Sequence, residues 1–445
     1  MSAAAVVTQQ RRWGLAHARV LAVLYFAYFA NICSRTAVQV SLAAMAADKS
    51  LAFTPTMTGT VLSVGAGTQV VGRLLLPIVI ARLGARTSLI AWMIAMGAAL
   101  LLMTVHLGGV FSFELFLFGW VINMLACSTM WACMTSIAGE AFKDNGFSSA
   151  VGILSTASRA GAILGNLVWG PLSGVLGWAQ IIRLSSLLPI VAVLALTFCL
   201  LPLPTERKED SDSLLADANK AAATQQSAVP FSVAMRIFVT NPRLWMVFFC
   251  QATLTLCMEL QALLPIYLRQ GASLSAAQAG AMAAVFPFGA AGATMLTGVV
   301  FDRFTGMRRA ALFGGEHLLA ILGLGLLAWA PTAPTSFALL AVMAGSAPTF
   351  YLISAEFINR YAGPDYACSL MAWIDIPGQL ANSVFMSQYP SMVEHGGWSF
   401  VFRALQLTTV SASAACLAYL VFDAADPTEL FTRRKATTML LGTIL

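Results

Sequence analysis

Long runs of apolar residues alternate with short polar stretches along nearly the whole chain. The runs predict twelve helices, at 20–46, 58–81, 87–106, 112–138, 148–176, 180–201, 243–268, 275–301, 308–330, 334–359, 365–392 and 397–422. Each run is close to or above the roughly 20 apolar residues that an α-helix needs to cross a bilayer, and barrel strands of about 10 residues are too short to account for them. We therefore expect an all-α membrane protein with twelve transmembrane helices.

The composition agrees with a chain that is embedded in lipid. With 59% hydrophobic and 10% charged residues, it is too apolar for a water-soluble globular protein. The eight cysteines lie in apolar runs without a Cys-x-x-Cys spacing, so they are interpreted as small apolar residues and not as disulfide or metal ligands. The glycine-rich stretches lack the Gly-Lys-Ser/Thr ending of a phosphate-binding loop. We expect no cofactor, no catalytic constellation and no enzymatic activity.

The net charge of +6 is explained by the position of the basic residues and does not indicate a nucleic-acid partner. Both tails and every second loop hold most of the Arg and Lys residues. The remaining loops hold Lys49 and Arg269, with Arg183 near an edge. Because basic residues mark the cytoplasmic side of membrane proteins, both termini are predicted to be cytoplasmic. The pattern leaves open whether the bilayer is a plasma membrane or an organelle membrane.

A polar stretch rich in charged residues, Ser, Ala and Gln divides the chain and is typical of a solvent-exposed linker. The predicted organisation is a cytoplasmic tail at 1–19, a six-helix half at 20–201, the linker at 202–242, a second six-helix half at 243–422 and a cytoplasmic tail at 423–445. The halves share a Gly-Trp pair that is followed by an arginine, at Gly177, Trp178 and Arg183 and again at Gly397, Trp398 and Arg403. Such internal repetition predicts two pseudo-symmetric bundles.

A second shared motif is a basic, glycine-containing loop after the second helix of each half. The residues are Arg82, Gly84 and Arg86 in the first copy and Gly298, Asp302, Arg303, Gly306, Arg308 and Arg309 in the second. With this motif the chain resembles the major facilitator superfamily, although Pro77 and Ala81 stand in the first copy where the family has glycine and aspartate. The resemblance implies two six-helix bundles around a central cavity and transport by alternating access. The loop residues are expected to hold helix ends and gate contacts, without touching substrate.

Arg35 is a charged residue in the middle of the first predicted helix. An unpaired cation in hydrocarbon is costly, so such a residue normally faces a bundle interior or a watery cavity. Tyr28, Asn31 and Gln39 lie on the same helix face, at spacings of three and four residues. We expect this polar face to bind substrate.

Other ionisable residues lie inside the predicted helices. Arg159 is in the fifth helix, Glu259 in the seventh and Asp375 in the eleventh, where Gln379 continues the polar face. Arg35 and Glu259 have similar predicted depths in corresponding helices, and Arg159 and Asp375 match position for position. The first half is therefore predicted to offer cations to the cavity, and the second half carboxylates. Trp373 is a weaker candidate, because it shares a helix with Asp375.

Two functional interpretations and one structural interpretation remain open for these charges. The arginines could bind an anion while Glu259 or Asp375 carries a coupling proton. Alternatively, cations and acids could hold the two ends of a zwitterion. In the structural interpretation they pair as salt bridges that close a gate. Glu140, Glu316, His317, Glu356 and Arg360 are expected at helix ends, as caps or gate contacts.

Two branches of the superfamily show further resemblance. Arg73, with Pro77 and Gly84 after it, is similar in spacing to the substrate arginine of nitrate/nitrite porters, but Thr294 stands where their second arginine would be. The single arginine of the first helix, the ending Pro265-Ile266-Tyr267-Leu268 and the Gly-Gly-Trp at 396–398 are more similar to organophosphate:phosphate antiporters and anion:cation symporters. The antiporters have a second arginine in the seventh helix, where this chain has Glu259. The resemblance thus favours a monoanion or zwitterion over a phosphate.

The sequence therefore predicts a secondary active transporter for a small polar or anionic metabolite, with a co-transported proton or a counter-anion. The alternatives are a non-transporting receptor or assembly factor on the same fold, an amphiphile or drug exporter, and a nitrate-like anion porter.

Overall fold

The computed structural model describes residues 14–108, 110–142, 147–199, 236, 239–301, 303, 304, 306–361 and 363–425. In the first half the helices are α1 (Leu15–Ala47), α2 (Pro55–Leu83), α3 (Ala85–Leu102), α4 (Phe113–Ala141), α5 (Phe147–Leu172) and α6 (Trp178–Cys199). In the second half they are α7 (Pro242–Gly271), α8 (Ala276–Phe301), α9 (Gly306–Trp329), α10 (Ser336–Tyr361), α11 (363–396) and α12 (398–425). The predicted all-α fold with two groups of six helices is confirmed.

Ten stretches of the described chain are long and apolar enough to cross a membrane, and one of them, Trp373–Phe422, contains both α11 and α12. Large apolar side chains such as Val299, Leu322 and Leu407 are exposed on the outside of the bundle. An apolar outer surface of this extent is suited to lipid. An even number of helices places the start of α1 and the end of α12 on one side, which we call the terminal side. The other side is the opposite side.

The helix boundaries follow local sequence signals. Thr54 caps α2 by accepting a hydrogen bond from the Met57 backbone N–H, and Pro55 occupies the first turn, where its missing N–H costs nothing. Ser275 and Gln278 form a reciprocal capping box at the start of α8. These signals explain why the membrane helices begin where they do.

Most helix ends differ from the predicted boundaries by a few residues, and three differences change the connections or the length of an element. α1 begins at Leu15, because the predicted tail residues up to Arg19 continue the helix. α11 and α12 are joined without a loop, and Gly397 breaks the helix by adopting φ = 65°, a conformation that glycine tolerates best. A short antiparallel hairpin, β1 (His106–Leu107) and β2 (Val110–Phe111), connects α3 to α4. Most of the predicted linker at 202–242, and residues 1–13 and 426–445 of the tails, lie outside the described residues.

The two halves meet mainly through three helix pairs. α5 packs against α8, α2 packs against α11, and α1 contacts α7. Within the first half, α1 and α5 are in close contact. A Cβ added at Gly161 of α5 would lie only 2.8 Å from the Phe29 carbonyl oxygen of α1. Small residues permit this approach of membrane helices. The interface between the halves thus contains the helices that carry the charged residues of the interior.

Candidate functional site

Arg35 of α1 and Glu259 of α7 form an ion pair between the two halves. The Arg35 Nη2 atom donates a hydrogen bond of 2.8 Å to Glu259 Oε2, and both side chains are 18% exposed. The low exposure strengthens the attraction, because little water screens the two charges. The structure thus brings together two residues that the sequence places at similar depth in corresponding helices.

A narrow cavity lies next to this ion pair. Its volume is about 10 Å³, which is about what one water molecule needs. The cavity is lined by Arg35, Gln39, Leu62, Ala66, Gln69, Trp120, Met124, Glu259, Ala262, Asn382 and Met386. Gln39 is therefore at the cavity, as its helix face predicts, and Trp120 is held there because its Nε1 donates to the Val61 carbonyl over 2.8 Å. The halves are too close at this level to hold a metabolite.

Asn31 and Tyr28 continue the face of Arg35 toward the terminal side. Asn31 is fully buried, and its Oδ1 accepts a hydrogen bond of 2.9 Å from the Cys127 thiol of α4. Tyr28 packs against Trp131, also of α4, with 5.5 Å between the ring centroids. These contacts join α1 to α4, so the predicted polar face of α1 lies inside the protein.

Asp375 has a different partner from the residue that the repeat suggests. Its Oδ2 lies 3.4 Å from Arg73 Nη2, and its Oδ1 accepts a hydrogen bond of 3.4 Å from Gln251 of α7. The sequence matches Asp375 with Arg159 by position, but equivalent positions in two repeats are related by symmetry and need not touch. Because α11 packs against α2, the cation beside Asp375 comes from α2.

Gln379 extends this contact. Gln69 of α2 donates a hydrogen bond of 3.4 Å from Nε2 to Gln379 Oε1. Gln69 is missing from the sequence-predicted site, although it lies four residues before Arg73 and so on the same helix face. Trp373, two residues before Asp375 in α11, is 38% exposed.

Arg159 of α5 lies against Tyr351 of α10. The guanidinium carbon is 4.8 Å from the centroid of the tyrosine ring, and Nη2 donates a hydrogen bond to the tyrosine hydroxyl. Tyr351 is 39% exposed and stands at 4.9 Å from the ring of Phe350. Tyr351 is a functional candidate that the sequence does not single out, because a tyrosine inside an apolar run carries no periodic signal.

Between Arg35 and the opposite side of the protein, the two halves are tightly packed. The hydroxyl oxygens of Ser63 in α2 and Ser383 in α11 are 3.2 Å apart. A Cβ added at Gly170 of α5 would be 2.5 Å from the Cα atom of Gly280 in α8, so these two backbones touch. Both contacts hold the two halves together between Arg35 and the opposite side.

A cleft of about 240 Å³ lies near the opposite side, between α1, α5, α6 and the end of α7. Asp48, Ser173, Trp178 and Arg269 are among its lining residues. Asp48 follows α1 in the loop, where hydrogen bonds from the Ser50 hydroxyl and backbone N–H lower the pKa of its carboxyl. The cleft therefore presents one negative charge, from Asp48, and one positive charge, from Arg269, on the opposite side.

The repeated basic loops lie on the terminal side. Gly84 has φ = 74° between α2 and α3, and Gly306 has φ = 53° at the start of α9, so both glycines allow a sharp change of direction. Arg309 of the second loop donates to the Phe304 carbonyl over 3.0 Å and forms an ion pair with Glu356 of α10. The predicted loop residues Arg82 and Arg303 are exposed, Arg86 and Arg308 are on helices α3 and α9, and Asp302 lies outside the described residues.

Glu316 and His317 do not lie at a helix end, so the prediction of caps is wrong for them. Both are inside α9, and the Glu316 carboxylate accepts a hydrogen bond from the Thr297 hydroxyl of α8. His317 is fully buried. Among the described residues, no group of three or more His, Cys, Asp or Glu side chains is placed to hold a metal ion.

Two helical halves that meet through partly buried ion pairs form the architecture of a membrane transporter. Residues 24–386 match the sequence profile of the Major Facilitator Superfamily. The chain belongs to this family of transporters and is not an enzyme. No curated protein matches the sequence.

Several solved structures share the fold. A mutant of the nucleoside transporter NupG has a TM-score of 0.68 at 15% identity, covering 90% of this chain and 99% of that chain. A POT family transporter in complex with 5-aminolevulinic acid has a TM-score of 0.68 at 13% identity, covering 90% and 95%. A D-xylose-proton symporter has a TM-score of 0.64 at 14% identity, covering 90% and 96%. At these identities the likeness shows the fold alone.

Proposed function

We propose that this chain is a secondary active transporter for a small polar or anionic metabolite, driven by a proton or by exchange. The observation that carries the proposal is the ion pair of 2.8 Å between Arg35 and Glu259, which joins the two halves at the centre of the protein. A cation and a carboxylate in low-dielectric surroundings attract each other strongly, and each can attract a bound ion of opposite charge when its partner is neutralised or moves away. A substrate or a proton can therefore change the contact between the halves.

Glu259 is proposed as the first coupling residue. A proton on its carboxylate cancels the charge that holds Arg35, so the ion pair weakens and the halves can separate. Arg35 is then free to bind an anionic group by charge-assisted hydrogen bonds. Asp375 is proposed as a second coupling residue, because it joins α11 to Arg73 of α2 in the same way. Asn31, Gln39 and Gln379 would supply polar contacts around the charged groups.

The distribution of basic residues supports a cytoplasmic terminal side. With that orientation, the contacts Ser63–Ser383 and Gly170–Gly280 close the route to the outside, so the conformation described here is closed outward. Alternating access then requires these contacts to open while the terminal side closes. The loops with Gly84 and Gly306 are at helix junctions on the terminal side, where such a motion needs flexible connections.

The substrate class is proposed as a monoanion or a zwitterion. Glu259 stands beside Arg35 and Asp375 beside Arg73, so the interior offers no pair of free cations for a doubly charged phosphate among these four residues. A fold relative in complex with 5-aminolevulinic acid carries a ligand of the zwitterionic kind. The charge pattern supports the same class for this chain.

Uptake into proteoliposomes tests the proposal. The purified protein is reconstituted, and accumulation of labelled organic anions, amino acids, nucleosides and nitrate is measured with and without an inward proton gradient. We expect saturable uptake of at least one compound, which Arg35→Ala abolishes. The exposed terminal-side variant Arg19→Gln serves as a matched control and should transport normally.

Two results would contradict the proposal. Uptake that Arg35→Ala does not change would remove Arg35 from the site. If Glu259→Gln and Asp375→Asn together leave proton-driven accumulation unchanged, these carboxylates do not couple the proton. No flux of any compound, with a folded protein, would favour the alternative of a receptor or assembly factor on this fold.

A further inference from the structure

The three interior arginines of the first half differ in their partners. Arg35 is paired with Glu259 at 2.8 Å, and Arg73 is paired with Asp375 at 3.4 Å. Among the side chains that the structure describes, Arg159 has no carboxylate within ion-pair distance. It contacts Tyr351 through the ring and the hydroxyl. A guanidinium at membrane depth whose direct contact is a neutral phenol, with Glu259 acting on it only from a longer distance, is poorly compensated and provides a place for an anion.

The surroundings of Arg159 are aromatic. Tyr351 lies under the guanidinium at 4.8 Å, and Phe350 lies next to Tyr351 at 4.9 Å between centroids. Tyr28, which packs on Trp131 at 5.5 Å, is within electrostatic range of the Arg159 guanidinium. Aromatic side chains from α1, α4 and α10 therefore lie in the neighbourhood of a cation from α5, so each of the two halves contributes to this cluster.

The cluster also lies closer to the terminal side than the cavity beside Arg35 does, and part of it is exposed. Tyr28 precedes Arg35 by two helical turns, roughly 10 Å along α1 toward the terminal side. Tyr351 is 39% exposed, and the cavity at Arg35 holds only about 10 Å³. A ligand that enters from the terminal side therefore meets Arg159 before it meets the Arg35–Glu259 pair.

We propose that Arg159, Tyr351, Tyr28 and Trp131 form the substrate-selecting site and that its ligand class is an aromatic monocarboxylate. This inference rests on the proposed transport function. One guanidinium presents two parallel N–H donors to one carboxylate, so a single negative charge satisfies it. The ring of the ligand packs against the tyrosine and tryptophan faces in offset or edge-on contacts. An aliphatic acid of the same charge lacks this second contribution.

Binding of benzoate and acetate to the purified full-length protein, measured by calorimetry, tests the inference. We expect benzoate to bind more tightly than acetate. Arg159→Gln should weaken benzoate binding by about tenfold or more, which is what losing a charge-assisted carboxylate contact costs. Arg159→Lys keeps the charge without the fork of donors and should give an intermediate affinity. Arg19→Gln, on the exposed first turn of α1, is the matched control and should bind as the parent does.

Substitutions of Tyr351 distinguish the aromatic contribution to ligand binding from the contribution of the Arg159 charge. Tyr351→Leu should reduce the preference for benzoate over acetate, whereas Tyr351→Phe keeps the ring and should retain that preference. Size-exclusion profiles and melting temperatures equal to those of the parent show that each variant is folded, so a loss of binding is not a loss of structure.

Three results would overturn the inference. These are equal affinities for benzoate and acetate in the parent, including no binding of either; benzoate binding that Arg159→Gln leaves unchanged; and a loss that follows Arg35→Gln in place of Arg159→Gln. The transport function fails separately, because benzoate that binds through Arg159 but produces no flux in proteoliposomes would contradict transport and support the binding site.

Discussion

Arg73 of α2 and Asp375 of α11 connect the two halves at 3.4 Å, and Arg73 Nη1 also donates to the Asp375 carbonyl over 3.4 Å. Their side chains are 17% and 27% exposed, so the pair is partly shielded from water. Removing one partner leaves the other charge in a poorly solvated place, which is more costly than removing both.

The Arg73–Asp375 pair therefore predicts a non-additive effect on stability. Arg73→Gln and Asp375→Asn should each lower the melting temperature of the purified protein, and the double variant should lose less than the sum. The expected coupling is roughly 0.5–3 kcal/mol, as is usual for residues in direct contact. Thermal unfolding followed by tryptophan fluorescence measures it, with Arg19→Gln as the control. Strictly additive losses would mean that the two charges do not interact.

The sequence predicts the depth and face of the charged residues but not all of their partners. The spacing of Tyr28, Asn31, Arg35 and Gln39 predicts one buried face of α1, because helical periodicity fixes which side chains share a face. The structure places Arg35 beside Glu259 because α1 and α7 are themselves neighbours. Arg35 and Glu259 therefore correspond to each other in the two repeats and are also in direct contact.

Asp375 shows where the same reasoning stops. Its repeat equivalent Arg159 belongs to α5, which packs against α8, so the two residues have separate partners. Which helices cross the boundary between the halves depends on how two bundles pack, and a periodic pattern does not contain that information. The same limit applies to Tyr351 and Gln69. Spacing places Gln69 on the helix face of Arg73, but it does not reveal that Gln69 contacts Gln379 or that Tyr351 contacts Arg159.

The contact between Ser63 and Ser383 predicts that a covalent link will stop transport. Their hydroxyl oxygens are 3.2 Å apart, so cysteines at both positions can approach within reach of a disulfide. Oxidation of Ser63→Cys combined with Ser383→Cys should hold the opposite side closed and abolish uptake, and a reducing agent should restore it. The Ser63→Cys single variant, with the native cysteines present, is the control. Full transport by the linked protein would show that this contact does not open.

The tight contact at Gly170 predicts that a larger side chain there cannot fit while α5 and α8 are packed together. A Cβ there would lie 2.5 Å from the Gly280 Cα atom and 3.3 Å from the Ala276 carbonyl oxygen, both of them backbone atoms. Gly170→Val should therefore keep α5 and α8 apart and make the opposite side more accessible. Labelling of Ser63→Cys by a membrane-impermeant maleimide added on that side should increase. Gly152→Ala, in the same helix with open space around the added carbon, should leave labelling unchanged.

Substitution by glutamine should affect stability much less at Glu316 than at Glu356. Glu316 in α9 accepts a hydrogen bond from the Thr297 hydroxyl, and its other oxygen, Oε2, is buried without a partner in the described part of the chain. A buried carboxyl group without a cation is most stable when it is neutral, and an amide has nearly the same shape. Glu316→Gln should therefore change the free energy of unfolding by less than about 1 kcal/mol.

Glu356 is paired with Arg309, and both side chains are only 13% exposed. Glu356→Gln leaves Arg309 without its counter-charge and should destabilise the protein by roughly 3 kcal/mol. The two melting temperatures, measured in the same detergent, provide the comparison. A larger loss for Glu316→Gln than for Glu356→Gln would mean that Glu316 is charged and has a cationic partner, and the neutral carboxyl inferred from its contact with Thr297 would be wrong.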